Sequence, residues 1–180
     1  MRLLASLACC LLVACSLDSP PSQAPSSAKN VPQDTASPSP SALASQLTQY
    51  QTDARACSAT INSAPLGHAR ACAQNLLALA AGMVPAYAAR KPHCANYLDA
   101  TLKIRHAWPS LDLETIERDF HHDGALPASE TTADCYHMKD LIVHPATTLK
   151  LLSLDVPALD QAGREIEEVI AHAGVVRSGL

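Results

Sequence analysis

From residue 43 onward the apolar positions recur at helical spacing. Leu43, Leu47, Tyr50, Ala54, Cys57 and Ile61 follow at intervals of 4, 3, 4, 3 and 4, which keeps them on one face of a helix. Asn62-Ser63-Ala64-Pro65 breaks the pattern. A second seam runs through Leu66, Ala69, Cys72, Leu76, Leu79 and Met83, weakened at its end by Gly82 and Pro85, with a short turn continuing to Arg90. A third helix is predicted from Pro92 or His93 to His106, since proline suits a first turn. Its seam is Cys94, Tyr97 or Leu98, Thr101, and Ile104 or Arg105, and Pro109 ends it. Ser110 or Asp112 caps a fourth, with Glu114 in its first turn and Leu113, Ile116 and Phe120 as its stripe. Asp123-Gly124 terminates that helix.

A fifth helix is predicted from Thr131 or Thr132, carrying Cys135, Met138, Ile142, Ala146, Leu149 and Leu152, with Pro145 kinking or splitting it. Asp155 is the expected cap of a sixth, which places Leu159, Ala162, Ile166, Val169, Ile170 and Ala173 on one side. No alternating β-branched run is long enough for a strand, and no repeat is present. The expectation is an all-α bundle of five or six helices over 43–180.

The start of the chain is different material. Arg2 precedes an almost continuous apolar run, Leu3 to Val13, which is too short to span a bilayer and has the form of a secretory signal. It closes on Leu12-Val13-Ala14-Cys15. That tetrapeptide resembles the lipobox of bacterial lipoproteins. The resemblance implies a signal peptide over 1–14, cleavage before Cys15, a diacylglycerol on its sulfur and an acylated amino end. Ser16 follows where such lipoproteins carry Asp for inner-membrane retention. The implied location is therefore the outer membrane, with the domain in the periplasm or facing outward. Lipidated Cys15 and a linker occupy 15–42. Pro20, Pro21, Pro25, Pro32, Pro38 and Pro40 sit there among serine, alanine and glutamine, a composition that cannot bury enough surface to fold. At about 3.1 Å per residue such a tether reaches roughly 80 Å. Leu76 to Val84, the most apolar later window, is too short for a span. The acyl chains are thus the expected membrane connection.

The net charge of −4 and the lack of a basic run beyond Arg90-Lys91 argue against a nucleic-acid surface. Seven cysteines sort by position: Cys9 and Cys10 leave with the signal and Cys15 is the lipid site. Cys57, Cys72, Cys94 and Cys135 remain, and in an oxidising compartment four cysteines read as two disulfides with three pairings open. Cys57 and Cys72 lie at equal distances from the break between Ala64 and Pro65, at one height of a helical hairpin. This favours 57–72 and 94–135.

Eight histidines are the candidates for chemistry. His137, Asp140 and His144 share one face of a helix, a donor set suited to a transition metal. That face lies opposite Cys135, Met138 and Ile142, so it is expected to meet solvent or a partner. His121 and His122 stand before Asp123, where imidazoles suit a last turn, and they are candidates for a site combined with His137 and His144. Glu165, Glu168 and His172 form a third common face, expected to be an ordinary surface. Trp108 at a helix junction reads as the cap of a core or as a binding anchor.

Several motifs are absent: Cys-x-x-Cys-His, His-Glu-x-x-His, Gly-x-Ser-x-Gly and the phosphate loop. Ser26-Ser27-Ala28-Lys29 matches Ser-x-x-Lys but lies in the linker. Glu114, Glu117 and Asp119 read as a helix surface. The expected function is a non-catalytic envelope lipoprotein without cofactor, whose helical domain binds a protein partner or envelope component as an inhibitor, immunity protein or assembly factor does. The alternative is a histidine-based metal- or haem-binding periplasmic lipoprotein.

Overall fold

The computed structural model describes residues 40–127 and 132–180. The signal, the lipobox and the linker up to residue 39 lie outside the described residues, as does Thr131. Six helices and no strand occur among the described residues: α1 Pro40–Thr60, α2 Leu66–Arg90, α3 Ala95–Ile104, α4 Leu113–Ile116, α5 Ala133–Leu152 and α6 Leu159–Ser178. Short 3-10 turns at Pro92–Cys94 and Trp108–Ser110 lead into α3 and α4, and a π turn at Glu117–His121 follows α4. The all-α architecture expected from periodicity is the one observed.

The first seam is buried throughout: Leu43, Leu47, Tyr50, Ala54, Cys57 and Ile61 are each at most 2% exposed. α1 packs on α2 and α6, while α5 packs on α6, α2 and α3. Both disulfides form as favoured, Cys57–Cys72 across the α1–α2 hairpin and Cys94–Cys135 between the start of α3 and α5. α2 continues unbroken through Gly82 and Pro85 to Arg90. At 25 residues it is long and apolar enough to cross a membrane by length and composition, contrary to the shorter window read from sequence. Its buried face, with Ala69, Ala73, Leu76, Ala80 and Met83, instead packs within the domain.

Pro145 neither splits nor ends α5. Proline has no N–H to give the carbonyl four residues back. Tyr50 supplies the substitute, its hydroxyl donating to the Leu141 carbonyl at 2.7 Å. Thr147 and Thr148 add hydroxyl bonds to the Val143 and His144 carbonyls. α5 is consequently the central rod of the bundle.

The N-cap of α4 is Asp112, whose carboxylate accepts from the Thr115 N–H at 2.7 Å. Asp155 does not cap α6, which starts after Ala158. Two residues beyond the π turn, Asp123 is the residue with positive φ (61°) among the described residues. Gly124 is needed for space, because a Cβ there would stand 2.7 Å from the Arg118 carbonyl.

Candidate metal centre

α5 and α6 are joined by a short loop and lie antiparallel, so the seam of one meets the seam of the other. On α5 the seam is His137, Asp140 and His144; on α6 it is Glu165 and His172. The π turn adds His121 from the side, its Nε2 3.1 Å from Thr147 Oγ1. The rings pack against one another: His121–His144, His137–His172 and His144–His172 centroids are 4.8, 4.9 and 5.1 Å apart.

This overturns the expectation that the His137–Asp140–His144 face meets solvent. Asp140 is 0% and His144 7% exposed. α5 has buried residues on every side, so it has no outer face over this stretch. Glu165 and His172, expected on a surface, are turned inward with side chains 15% and 12% exposed. Glu168 alone of that trio stays on the surface, 61% exposed. His122 is also outside, pairing with Glu117 at 3.0 Å.

Hydrogen bonds assign the ring nitrogens. His144 Nδ1 lies 2.8 Å from Glu165 Oε2, so Nδ1–H donates to the carboxylate and Nε2 keeps its lone pair. His172 Nδ1 lies 2.7 Å from His137 Nδ1, and one of the two must donate. The other His172 nitrogen, Nε2, faces Asp140 Oδ2 at 3.5 Å. Burial, followed by the neighbouring His144, lowers the pKa of His121 to about 4. Burial, with His144 and His137 beside it, lowers that of His172 to about 3. Both rings are therefore neutral near pH 7, the form in which imidazole ligates metals.

Asp140 is the anomaly. Both its oxygens are buried, and the two donors that face them, the Tyr136 hydroxyl and the Lys139 ammonium, are not in the alignment of a full hydrogen bond. Burial pushes its pKa up, against the pull of Lys139. The Lys139 ammonium, 0% exposed, stands 3.1 Å from Oδ1 as an ion pair, outside hydrogen-bonding alignment. It bonds instead to the carbonyls of Phe120 (2.8 Å) and His121 (3.1 Å) and to Asp123 Oδ1 (2.9 Å). It thereby pins the π turn to α5. Tyr97 completes that anchor, donating to Asp123 at 2.7 Å.

Two trios could hold a metal ion, His121–His144–Glu165 and Asp140–His144–His172, each with its donor atoms within 4.8 Å of one another. Donors around an ion at about 2.0–2.2 Å stand roughly 3.3 Å apart, so closure onto an ion is a rotamer-scale movement. A third group, His93, Cys94, Asp134 and Cys135, has its two sulfurs tied up in the disulfide. The cluster joins four residues proposed from sequence, His121, His137, Asp140 and His144, to Glu165 and His172. Compared with family models, curated proteins and solved structures, the chain matches none.

Proposed function

We propose that this chain is a lipid-anchored envelope protein that binds a divalent transition-metal ion in the core between α5 and α6. The observation that carries the reading is Asp140, a fully buried carboxylate whose one close cation is Lys139 at 3.1 Å, set beside the imidazoles of His144 and His172. Lys139 answers one oxygen of that carboxylate and leaves lone pairs over, and Asp140–His144–His172 supplies two imidazoles and one carboxylate, a set suited to zinc, iron, nickel or copper. Glu165 fits the role of the outer carboxylate that orients a ligating histidine, since it holds His144 Nδ1 at 2.8 Å.

Charge supports the same reading. Asp123 and Asp140 pair with one ammonium, Lys139, and Glu165 adds a third carboxyl group at His144, in a region mostly closed to water. As carboxylates they leave two negative charges in excess, the amount a divalent cation supplies. The imidazoles packed ring to ring leave no slot for a porphyrin, so a compact ion is favoured over haem. The lipobox and tether argue for a site held at the outer membrane.

Elemental analysis of the full chain, expressed without a histidine tag, tests this. We expect bound metal near one equivalent, or a raised melting temperature on adding zinc, copper or nickel to chelated protein. Neither bound metal nor any shift with these ions overturns the reading.

A further inference from the structure

The structure assigns a second binding site, for a small aryl carboxylate, in the cleft between α2, α5 and the Trp108–Ser110 turn. The cleft has a volume of about 230 Å³, against the roughly 150 Å³ that suffices for benzene in an apolar cavity. Arg70, Arg105 and Lys150 line it, with Leu77, Leu149 and Trp108 among its walls.

Its charge runs against the rest of the molecule. The chain carries a net −4, and Lys91, Lys103, Arg118 and Lys139 each stand in an ion pair. Arg55, Arg90, Arg164 and Arg177 are exposed. The three cations of the cleft are half-buried instead, and none pairs with a carboxylate among the described residues. Each head is steadied by a backbone carbonyl: Arg70 by Leu152 at 2.7 Å, Arg105 by Leu102 at 3.2 Å and Lys150 by Pro109 at 3.2 Å. Guanidinium and ammonium donors are left over for a ligand.

Trp108 gives the independent sign. The residue is 2% exposed, and its Nε1–H has no acceptor. Indole nitrogen is a donor alone, so this wall of the cleft holds an unanswered donor beside the three cations and no unanswered acceptor. Inorganic anions would leave the leucine walls uncovered. An aryl carboxylate matches both halves: oxygens for the cations, a ring for the apolar wall.

Trp108 is the single tryptophan, so its emission reports on the site directly. The test titrates benzoate, benzamide and inorganic phosphate into the full chain in detergent micelles, with Arg105→Gln and Lys150→Gln variants in the same micelles. We expect a saturable change with benzoate at a Kd below about 1 mM. Benzamide should be silent, phosphate at least about tenfold weaker, and each variant about tenfold weaker for benzoate. Unchanged far-UV circular dichroism verifies that the variants fold. No saturable response, benzamide equal to benzoate, phosphate equal to benzoate, or variants equal to the parent each overturn the assignment.

Discussion

Replacing Asp140 by asparagine separates a structural role of the cluster from a metal-binding one. Asp140 is fully buried, and the donors that face it, Lys139 and the Tyr136 hydroxyl, are poorly aligned with its oxygens. A buried polar group left unsatisfied costs about 1–3 kcal/mol, and more if charged. Asparagine has the same shape without the charge, and its amide can donate to His172 Nε2, now 3.5 Å from Oδ2. The opposing loss is the ion pair with Lys139. That loss is small, because Lys139 keeps Asp123 Oδ1 and two backbone carbonyls. The gain wins, and metal-free Asp140→Asn should be more stable than the parent by about 1–2 kcal/mol. At this chain length that raises the melting temperature by roughly 3–8 °C. Zinc should reverse the order. At a hundredfold excess over Kd it stabilises the parent by about 2.7 kcal/mol. A ligand loss that weakens affinity a hundredfold leaves about 0.4 kcal/mol at the same zinc concentration. Thermal melts of both proteins by circular dichroism, with chelator and with zinc, give all four values. A variant less stable than the parent without metal, yet equally stabilised by zinc, would refute the reasoning.

Three further outcomes follow from the same geometry. In chelator, stability should fall from pH 8 to pH 5. His172 and His121 protonate near 3 and 4 when folded against 6.5 otherwise, so the unfolded chain takes up more protons in this window, at a cost of about 2 kcal/mol per ring by pH 5. The raised pKa of Asp140 opposes part of this, and a urea-midpoint slope unchanged by His172→Gln and His121→Gln would sink the assignment. The disulfides close separations of 15 and 41 residues. Serine pairs should therefore cost about 3 kcal/mol at 57/72 and about 4 kcal/mol at 94/135, and thiol labelling of exported, denatured protein should find none of the four free. Tyr50→Phe strips the Leu141 carbonyl of its donor opposite Pro145 and should cost about 1–3 kcal/mol in chemical denaturation; a cost below about 0.5 kcal/mol would show the carbonyl satisfied otherwise.

The fold was legible because α1, α2 and α6 each bury one face, so their apolar positions mark it. The Cys57–Cys72 pairing followed from the same symmetry about the Ala64–Pro65 break. α5 departs from its expected orientation because one apolar seam implies an opposite face in water only for a helix at the surface. A central rod has none, and 14 of its residues are buried, polar ones among them. The sign was present in Leu141-Ile142-Val143: three consecutive apolar residues, turned about 100° apart, point to most of the circumference. Once α5 is surrounded, its polar residues must find partners inside.

Sequence also held the complement. His137, Asp140 and His144 at spacings 3 and 4 are followed, one short loop later, by Glu165, Glu168 and His172 at the same spacings. Two such seams on antiparallel neighbours meet if their helices turn toward each other, and the apolar arcs on either side decide whether they do. What periodicity could not supply was His121, which reaches the cluster through a π turn held by the Lys139 ammonium. That lysine bears on function too. Its charge offsets one carboxylate of the three, which sets the remaining deficit at two rather than three. On the proposed reading, the same side chain that anchors the turn thereby leaves the charge that a divalent ion would balance.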